Sequence, residues 1–408
     1  MSTVFVQIGQ CGNQMGQAFL STTIKNEKVQ SSHSFLSAEG IPRAIAVDSE
    51  QKCVRKTATP LRIRDENIIV GKRGRGTNWA MGYNGPGPHI DDKLGDRTME
   101  ALRREIERCD RFCGVILMHS LSGGTGSGLG SRICEDVRDS YPLSHLMSCA
   151  VAPCASGESP LQHYNSLLTL SCLQRNTDGI VLIHNDDVIS RLQKSASASR
   201  SVSLQLVNSA ISAELNGIFL PTDTLTPSSG SSLGMEPWEL VRSVCPMPSL
   251  KFVQFLHQAS SEKSLDDVLA QATRRVAKYS SEGRPYGCLA SLVVIRGNTR
   301  ETVSVPRVEG RIKKSYACVS WNPYPVDIWI AKNCQTGFKD KKTVTIAANR
   351  TSVLDFLDVV YTKSKTMFNA GAYLHWYERY GVSRDEFNES FEEMKSIAEN
   401  YSEAMRQS

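Results

Sequence analysis

Short apolar runs recur through the first half of the chain, and each is followed by polar or glycine-rich residues and then by a helical pattern. A short apolar run bounded by turn-forming residues is typical of a buried strand, whereas a helix repeats its apolar residues every three or four positions. Strands that alternate with helices form the parallel sheets of open α/β proteins. The pattern predicts a doubly wound parallel sheet, with strands at residues 4–8, 44–47, 115–118, 146–151 and 180–183.

A predicted helix and a polar connector separate this sheet from the second half of the chain. Residues 203–217 carry apolar side chains at helical spacing, and the connector 221–234, PTDTLTPSSGSSLG, marks a domain boundary. Pro237 suits the first position of the next helix. Apolar runs then predict strands of a second, mixed sheet at residues 250–256, 289–295, 316–319 and 343–347. A final amphipathic helix runs towards the end of the chain.

These patterns divide the chain into four regions. Residues 1–202 are predicted to form a ligand-binding domain, and residues 203–220 a central core helix. Residues 221–350 would form an intermediate domain that includes the connector, and residues 351–408 a C-terminal helical region.

The segment 120–130, SLSGGTGSGLG, joins a predicted buried strand to a predicted helix. Glycines let backbone amides approach a phosphate, and the start of the following helix favours negative charge. A flexible linker is the alternative, although linkers rarely begin directly after a buried strand. No lysine follows Gly128, as a P-loop requires, and no register gives the GxGxxG spacing of dinucleotide folds. The predicted phosphate ligands are Ser120, Gly123, Gly124, Thr125 and Gly126.

Two further strand ends carry candidate ligands. Gln10 and Cys11 follow the first strand, at the edge where open α/β folds bind ligands. Asp48 and Glu50 follow the second strand. Two carboxylates beside phosphates require a cation, and Mg²⁺ is commonly held through water and one or two carboxylates. Glu50 is the first candidate for the metal and Asp48 the second, and a solvated acidic turn is the alternative. Asn165 is predicted to cap the helix before the strand at 180–183.

The composition narrows the class of protein. The chain has 408 residues, of which 40% are hydrophobic, so it can bury the cores of two or three domains. A net charge of +5 with scattered basic residues does not indicate nucleic-acid binding. Twelve cysteines without a CxxC pair favour reduced thiols over disulfides or zinc. No apolar run is long enough to span a membrane, so we expect a cytosolic protein without membrane insertion.

Several motifs together resemble the tubulin superfamily over nearly the whole chain. The segment 122–128, SGGTGSG, is its signature, and GQCGNQ at residues 9–14 resembles its first nucleotide loop. PRAIAVDSE at 42–50, GRGTNWAMGY at 74–83 and AYLHWYERY at 372–380 also resemble tubulin segments. The resemblance implies a GTP-binding domain, a central helix, a second mixed-sheet domain and C-terminal helices.

The resemblance implies GTP or GDP with Mg²⁺ as the ligand. It adds Gly76, Thr77 and Asn78 near the terminal phosphate and Glu158 near the ribose. Asn185 and Asn208 match residues that contact the guanine base, where an amide side chain can pair with both the N–H edge and the carbonyl. Leu204 stands where most tubulins stack a tyrosine on the base, and Gln162 stands where they carry a glutamate.

Catalysis is implied at a contact between two molecules. Glu239 aligns with the catalytic glutamate of α-tubulin, and Glu236 aligns with its acidic companion. In this family one subunit supplies the nucleotide pocket and the next subunit supplies this acidic helix start. Acids at a helix N-terminus also stabilise the helix by about 0.3–1 kcal/mol through its dipole, without any catalytic role. Whether the chain is an assembly-dependent GTPase is therefore left open.

The predicted partners are other tubulins of the alpha, beta or epsilon type, bound head to tail, and centriolar or basal-body proteins. The tract 257–263 is shorter than the usual lateral-contact loop, which argues against ordinary side-by-side contacts, and no acidic tail follows the last helix. Among subfamilies the chain resembles the delta type, with the epsilon and zeta types as alternatives. The delta type implies a centriole or basal-body protein of the cytoskeleton that supports triplet microtubules. A non-hydrolysing scaffold and a nicotinamide-dependent enzyme are the rivals from other classes.

Overall fold

A computed structural model of the chain describes residues 2–25, 34–87, 93–155, 157, 159–195, 202–222, 236–297, 303–331 and 341–407. Within these residues one ten-stranded sheet has the order β3-β2-β1-β4-β5-β6-β7-β10-β8-β9. The strands are β1 Ser2–Ile8, β2 Ala44–Asp48, β3 Ile68–Val70, β4 Phe112–Ser120, β5 His145–Ala152, β6 Gly179–His184, β7 Phe252–Ser260, β8 Cys288–Arg296, β9 Val326–Ala331 and β10 Lys342–Arg350.

Fourteen α-helices are assigned in the same part of the chain. They are α1 Gly9–Ile24, α2 Gln51–Ala58, α3 Trp79–Tyr83, α4 Leu94–Glu107, α5 Gly130–Ser140, α6 Gln162–Asn176, α7 Asn185–Ser195, α8 Leu204–Phe219, α9 Glu239–Val244, α10 Leu265–Arg274, α11 Val305–Tyr316, α12 Val353–Asn369, α13 Leu374–Glu378 and α14 Arg384–Arg406. None of them is both long and apolar enough to cross a membrane.

The first seven strands in this order are parallel. Six of them, β1 to β6, lie in the N-terminal region for which a parallel sheet was predicted, whereas β7 was predicted to belong to the second sheet. All seven residues of β1 are buried, because helices cover both faces of the sheet. Val4 and Val6 face a core shared with α4, α5 and α6, whereas Phe5 faces a second core shared with α1 and α8. The sheet is therefore doubly wound, and the α/β class predicted from the apolar pattern is confirmed.

The mixed part of the sheet begins at β7. This strand pairs with β6 only through Phe252 and Val253, and then pairs with β10 in the antiparallel direction. Helices α10 and α11 cover one face of the strands β8 to β10. A second connection runs through the buried Arg296 of β8, whose guanidinium donates hydrogen bonds to the carbonyls of Gly217 and Pro221 at the end of α8. The central helix is therefore fixed to the mixed sheet at its C-terminal end.

Three local predictions were wrong. The predicted strand at 316–319 does not form, because the helical spacing of the buried Val308, Ile312 and Tyr316 carries α11 to Tyr316. Helix α9 begins at Glu239, so Pro237 lies in the preceding turn rather than at the first helical position. Asn165 lies inside α6, which begins at Gln162, and does not cap it.

Two other features concern the surfaces of the chain. The connection between β7 and α10 is short, because it comprises only residues 261–264. Most of the Ser/Gly-rich connector, residues 223–234, lies outside the described residues. The last helix, α14, starts with a capping box between Ser383 and Glu386, and it packs its apolar face on the core shared with α6.

Candidate nucleotide-binding site

A cavity of about 590 Å³ opens at the carboxyl edge of the parallel strands. Its wall is formed by the segments at the carboxyl ends of β1 to β6, together with the start of α8. Strand order changes direction around β1 and β4, which is where open α/β sheets form crevices for ligands. The predicted residues that line the cavity are Gln10, Cys11, Asp48, Glu50, Gly76, Thr77, Ser120, Gly123, Gly124, Thr125, Gly126, Asn185 and Asn208.

One predicted binding residue that the structure describes stands apart from this wall. Asn78 does not line the cavity, because its side chain caps α3 by accepting a hydrogen bond from the Met81 amide and donates another to the Trp376 carbonyl. The structure therefore assigns it a role in the protein framework rather than in ligand contact. Glu158 lies outside the described residues.

The cavity wall also contains residues that the sequence reasoning passed over. Gln14 lies one helical turn after Gln10 on α1, so the helical period would have placed both side chains on one face. Ser49 lies between the two candidate metal ligands, and its hydroxyl is 2.7 Å from that of Thr125. This contact joins the loop after β2 to the glycine loop, and no local sequence signal indicates it.

The glycine loop turns into a π-type segment, Gly124–Leu129, directly before α5. A Cβ on Gly128 would stand 2.1 Å from the Trp79 carbonyl oxygen, and one on Gly124 would stand 2.5 Å from that of Arg75. Both glycines are thus required for close packing of the loop on α3 and on the residues before it. The sequence suggests room for phosphate as the reason for all of these glycines, whereas the structure gives two of them a packing role as well.

The two acids occupy different environments at one end of the cavity. Asp48 is buried and Glu50 is exposed. Burial raises the pKa of Asp48 to about 6, although the Glu50 amide and the Ser49 hydroxyl lie 3.3 and 3.4 Å from Asp48 Oδ1. A buried carboxylate beside a second one favours a bound cation. Among the described residues no three metal-binding side chains cluster, so a cation here would need water or phosphate oxygens, as Mg²⁺ commonly does. The oxygen donors present fit that ion.

The opposite end of the cavity is less polar. Ser203 caps α8, and the first turn of the helix presents Leu204, Val207 and Asn208 to the cavity. The Leu204 side chain is 65% exposed and can pack against a flat ligand. Burial, and secondarily the nearby Cys154, raises the pKa of the Cys11 thiol to about 12, which favours the neutral thiol over the nucleophilic thiolate.

The predicted catalytic acids lie at the other edge of the sheet. Trp238, between Glu236 and Glu239, stacks on His145 with ring centroids 5.3 Å apart, and His145 is the first residue of β5. Burial raises the pKa of Glu236, while Arg111 and His145 oppose that rise. The nine residues of β4 separate the two edges by about 25 Å, given roughly 3.3 Å per residue. Neither acid can reach the cavity of its own chain.

Comparisons with known proteins agree with this geometry. Residues 2–193 match the model of the Tubulin/FtsZ family, GTPase domain. The chain is 28% identical over 464 residues to the tubulin delta chain of Macaca fascicularis and also to that of Homo sapiens, with 98% of this chain and 99% of each relative covered. It is 27% identical over 436 residues to the tubulin beta-1 chain of Colletotrichum graminicola, with 98% of this chain and 94% of the relative covered.

The N-terminal half is therefore a GTPase domain of the tubulin/FtsZ type, and the family resemblance inferred from the motifs is confirmed. Residues 2–193 thus belong to the Tubulin/FtsZ family, and over 98% of its length the chain is similar to tubulin delta chains.

Proposed function

We propose that the cavity binds GTP or GDP with its phosphates on the glycine loop and its base against the start of α8. In this arrangement the amides of residues 123–126 and the hydroxyls of Ser120 and Thr125 hold the phosphates. Asn185 and Asn208 read the base, and Leu204 covers one of its faces. The cavity at the carboxyl edge supports this orientation, because its glycine-rich end and its apolar end match the two ends of a nucleotide.

Asp48 and Glu50 are the proposed ligands of Mg²⁺, directly or through water. The ion would neutralise charge on the phosphates when it is bound. The raised pKa of the buried Asp48 supports this role, because an unpaired carboxylate is costly at this position and a cation would relieve that cost. Arg75, in the cavity wall close to Gly76, adds positive charge at the same end.

We further propose that GTP hydrolysis takes place between two subunits that associate head to tail. The observation that carries this proposal is the position of Glu239 and Glu236 at the edge of the sheet opposite the cavity. In a head-to-tail pair the amino edge of one subunit faces the carboxyl edge of the next. The carboxylate of Glu239 would then orient the water that attacks the terminal phosphate in the neighbour's cavity, with Glu236 beside it. Phosphoryl transfer needs mainly such positioning and electrostatic stabilisation.

At the cellular level we propose a cytoskeletal protein of the delta-tubulin type. The likeness to several tubulin delta chains over 98% of this chain supports this assignment. It implies a place in the centriole or the basal body of a cilium, a role in triplet microtubules, and partners among the α-, β- and epsilon-tubulins. A chain of the epsilon or zeta type is the nearest alternative.

The first test is to denature the purified chain and identify the released nucleotide by chromatography. We expect GTP or GDP, with very slow GTP turnover by the chain alone. Adding αβ-tubulin should then raise turnover above that of αβ-tubulin alone. Rapid turnover by the isolated chain would contradict a site shared between subunits, and a larger thermal shift with NAD than with GTP would favour a nicotinamide-dependent enzyme instead.

Two variants test the role of Glu239. Glu239→Gln keeps the size of the side chain but removes its charge, so the additional turnover with αβ-tubulin should be lost. Glu403→Gln, on the exposed face of α14, is the matched control and should keep it. If both variants behave as the wild type while nucleotide stays bound, the chain is a non-hydrolysing GTP-binding scaffold.

A further inference from the structure

One buried amide lies between the two loops that line the phosphate end of the cavity. Asn165, in the first turn of α6, has a fully buried side chain. Its Nδ2 donates hydrogen bonds to the carbonyls of Thr77, at 2.8 Å, and Ser122, at 2.7 Å. Its Oδ1 accepts from the Trp79 amide at 2.9 Å and from the Tyr377 hydroxyl at 2.7 Å. All the hydrogen-bonding positions of the amide are therefore used.

The loop held by the first of these bonds has an unfavourable backbone conformation. Gly76 and Thr77 both have positive φ angles, 54° and 52°. A β-branched residue such as threonine rarely adopts this conformation, so surrounding contacts must maintain it. The bond from Asn165 to the Thr77 carbonyl is such a contact. The second bond fixes Ser122, directly before the glycines that line the cavity.

A third segment joins the same network from the C-terminal part of the chain. Tyr377 belongs to α13, and residues 372–380 around it make two more bonds to the region of the first loop. The Asn78 side chain donates to the Trp376 carbonyl at 3.1 Å, and the Asn84 side chain donates to the Tyr380 carbonyl at 2.8 Å. On its outer side this segment exposes Trp376, whose side chain is 45% exposed. A change in the phosphate loops thus has a direct hydrogen-bonded route to an exposed tryptophan.

We propose that Asn165 is a positioning residue that holds both phosphate loops in their binding conformation. Through Tyr377 it also links those loops to segment 372–380, so that the surface at Trp376 differs between the nucleotide-bound and nucleotide-free protein. This inference rests on the proposed binding of a guanine nucleotide in the cavity. A ligand that favours one loop conformation shifts every group hydrogen-bonded to that loop, and cutting the link removes the coupling.

Asn165→Asp tests whether Asn165 positions the two phosphate loops. A carboxylate can still accept from the Trp79 amide and the Tyr377 hydroxyl, but it cannot donate to the carbonyls of Thr77 and Ser122. We expect GDP affinity, measured by isothermal titration calorimetry, to fall by about tenfold or more, because two buried acceptors lose their donor. Unchanged affinity would overturn the positioning role.

Tyr377→Phe tests the link and retains the packing of the ring on Tyr164 and Phe387. The readout is the change in Trp376 fluorescence on adding GDP, obtained by subtracting the same titration in a Trp376→Phe background. We expect the wild type to respond and Tyr377→Phe to lose the response, with its GDP affinity within about threefold of the wild type. A change in GDP affinity of threefold or less would indicate that the phosphate loops keep their binding conformation.

Tyr164→Phe is the matched control. It removes a hydroxyl that bonds to the Ala372 carbonyl of the same segment but contacts neither phosphate loop, so the response should persist. Loss of the response in both variants, or in neither, would overturn the link. If Asn165→Asp fails to fold, Tyr377→Phe still decides whether Asn165 is linked to segment 372–380. A wild type that binds no guanine nucleotide would refute the proposed function and this inference with it, whereas a wild type that binds, with indifferent variants, would refute only the inference.

Discussion

Leu204 offers the most direct test of how the cavity holds the base. It is the first residue of α8, lines the cavity, and has 65% of its surface exposed without a ligand. Full burial of a leucine side chain contributes about 1.5–3 kcal/mol, so a base that covers the exposed part gains about 1–2 kcal/mol from this contact. At 1.4 kcal/mol per factor of ten, Leu204→Ala should weaken GDP binding about 5- to 30-fold.

The opposite change should strengthen binding. Leu204→Tyr supplies an aromatic face, and stacked aromatic pairs gain about 0.5–1.5 kcal/mol beyond their buried area. We expect GDP affinity to rise about 2- to 10-fold. Both affinities are measured by isothermal titration calorimetry on nucleotide-free protein, which also reports the number of sites.

Leu206→Ala is the matched control for both changes. Leu206 lies on the same turn of α8 and is 47% exposed, but it does not line the cavity. Its removal should leave GDP affinity unchanged. Equal effects at both positions, or no effect at Leu204, would refute the assignment of the base to this end of the cavity.

Two further changes test the framework of the site. Gly128→Ala places a methyl group against the Trp79 carbonyl, where the backbone cannot yield easily, so it should lower the free energy of unfolding by about 1–3 kcal/mol. Gly310→Ala, at an open position of α11, is the control and should raise the free energy of unfolding by about 0.5–1 kcal/mol. Chemical denaturation measures both changes. Burial lowers the pKa of His119 to about 4, so the unfolded chain binds more protons below pH 6.5 and the fold loses stability between pH 6.5 and 4. His119→Gln should remove up to about 3 kcal/mol of that pH dependence of the free energy of unfolding. Identical stability profiles between pH 6.5 and 4 for the variant and the wild type would refute the lowered pKa of His119.

The effect of Glu239→Gln on GTP turnover depends on assembly with a partner, so a measurement of nucleotide affinity does not test it. Its side chain accepts a hydrogen bond from the Glu236 amide at 3.2 Å, which positions the two acids together at the amino edge. Because that edge lies opposite the cavity, Glu239→Gln should leave the GDP affinity of the isolated chain unchanged. Binding and turnover therefore test separate parts of the proposal.

Much of the cavity was predictable because its residues follow strands that are legible as short apolar runs. Gln10, Asp48 and Thr125 are distant in sequence, yet each lies at the carboxyl end of a parallel strand or within five residues after it, and the carboxyl ends of parallel strands lie at one edge. The strand predicted at 316–319 was wrong because a short apolar run is ambiguous at the end of a helix. Its apolar residues continue the helical period of α11, and a short apolar run does not distinguish a helix end from a strand.

The roles of asparagines show where local sequence reasoning ends. The tubulin resemblance implies that Asn78 lies near the terminal phosphate, and Asn165 was predicted to cap a helix, a position that asparagine favours. In the folded chain Asn78 instead bonds to Trp376, and Asn165 bonds to Thr77, Ser122 and Tyr377. These partners lie up to 298 positions away, so no pattern within one segment could indicate them.

The sequence by itself determined the α/β class, the parallel N-terminal sheet, the glycine loop and the superfamily, because these depend on the local order of strands, loops and helices. Only the tertiary structure decided which glycines pack on α3, that a buried asparagine joins both phosphate loops to the C-terminal segment, and that Glu239 lies at the edge opposite the cavity. Each of these depends on contacts between segments far apart in the chain, and such contacts exist only once the sheet and its two helical layers have come together.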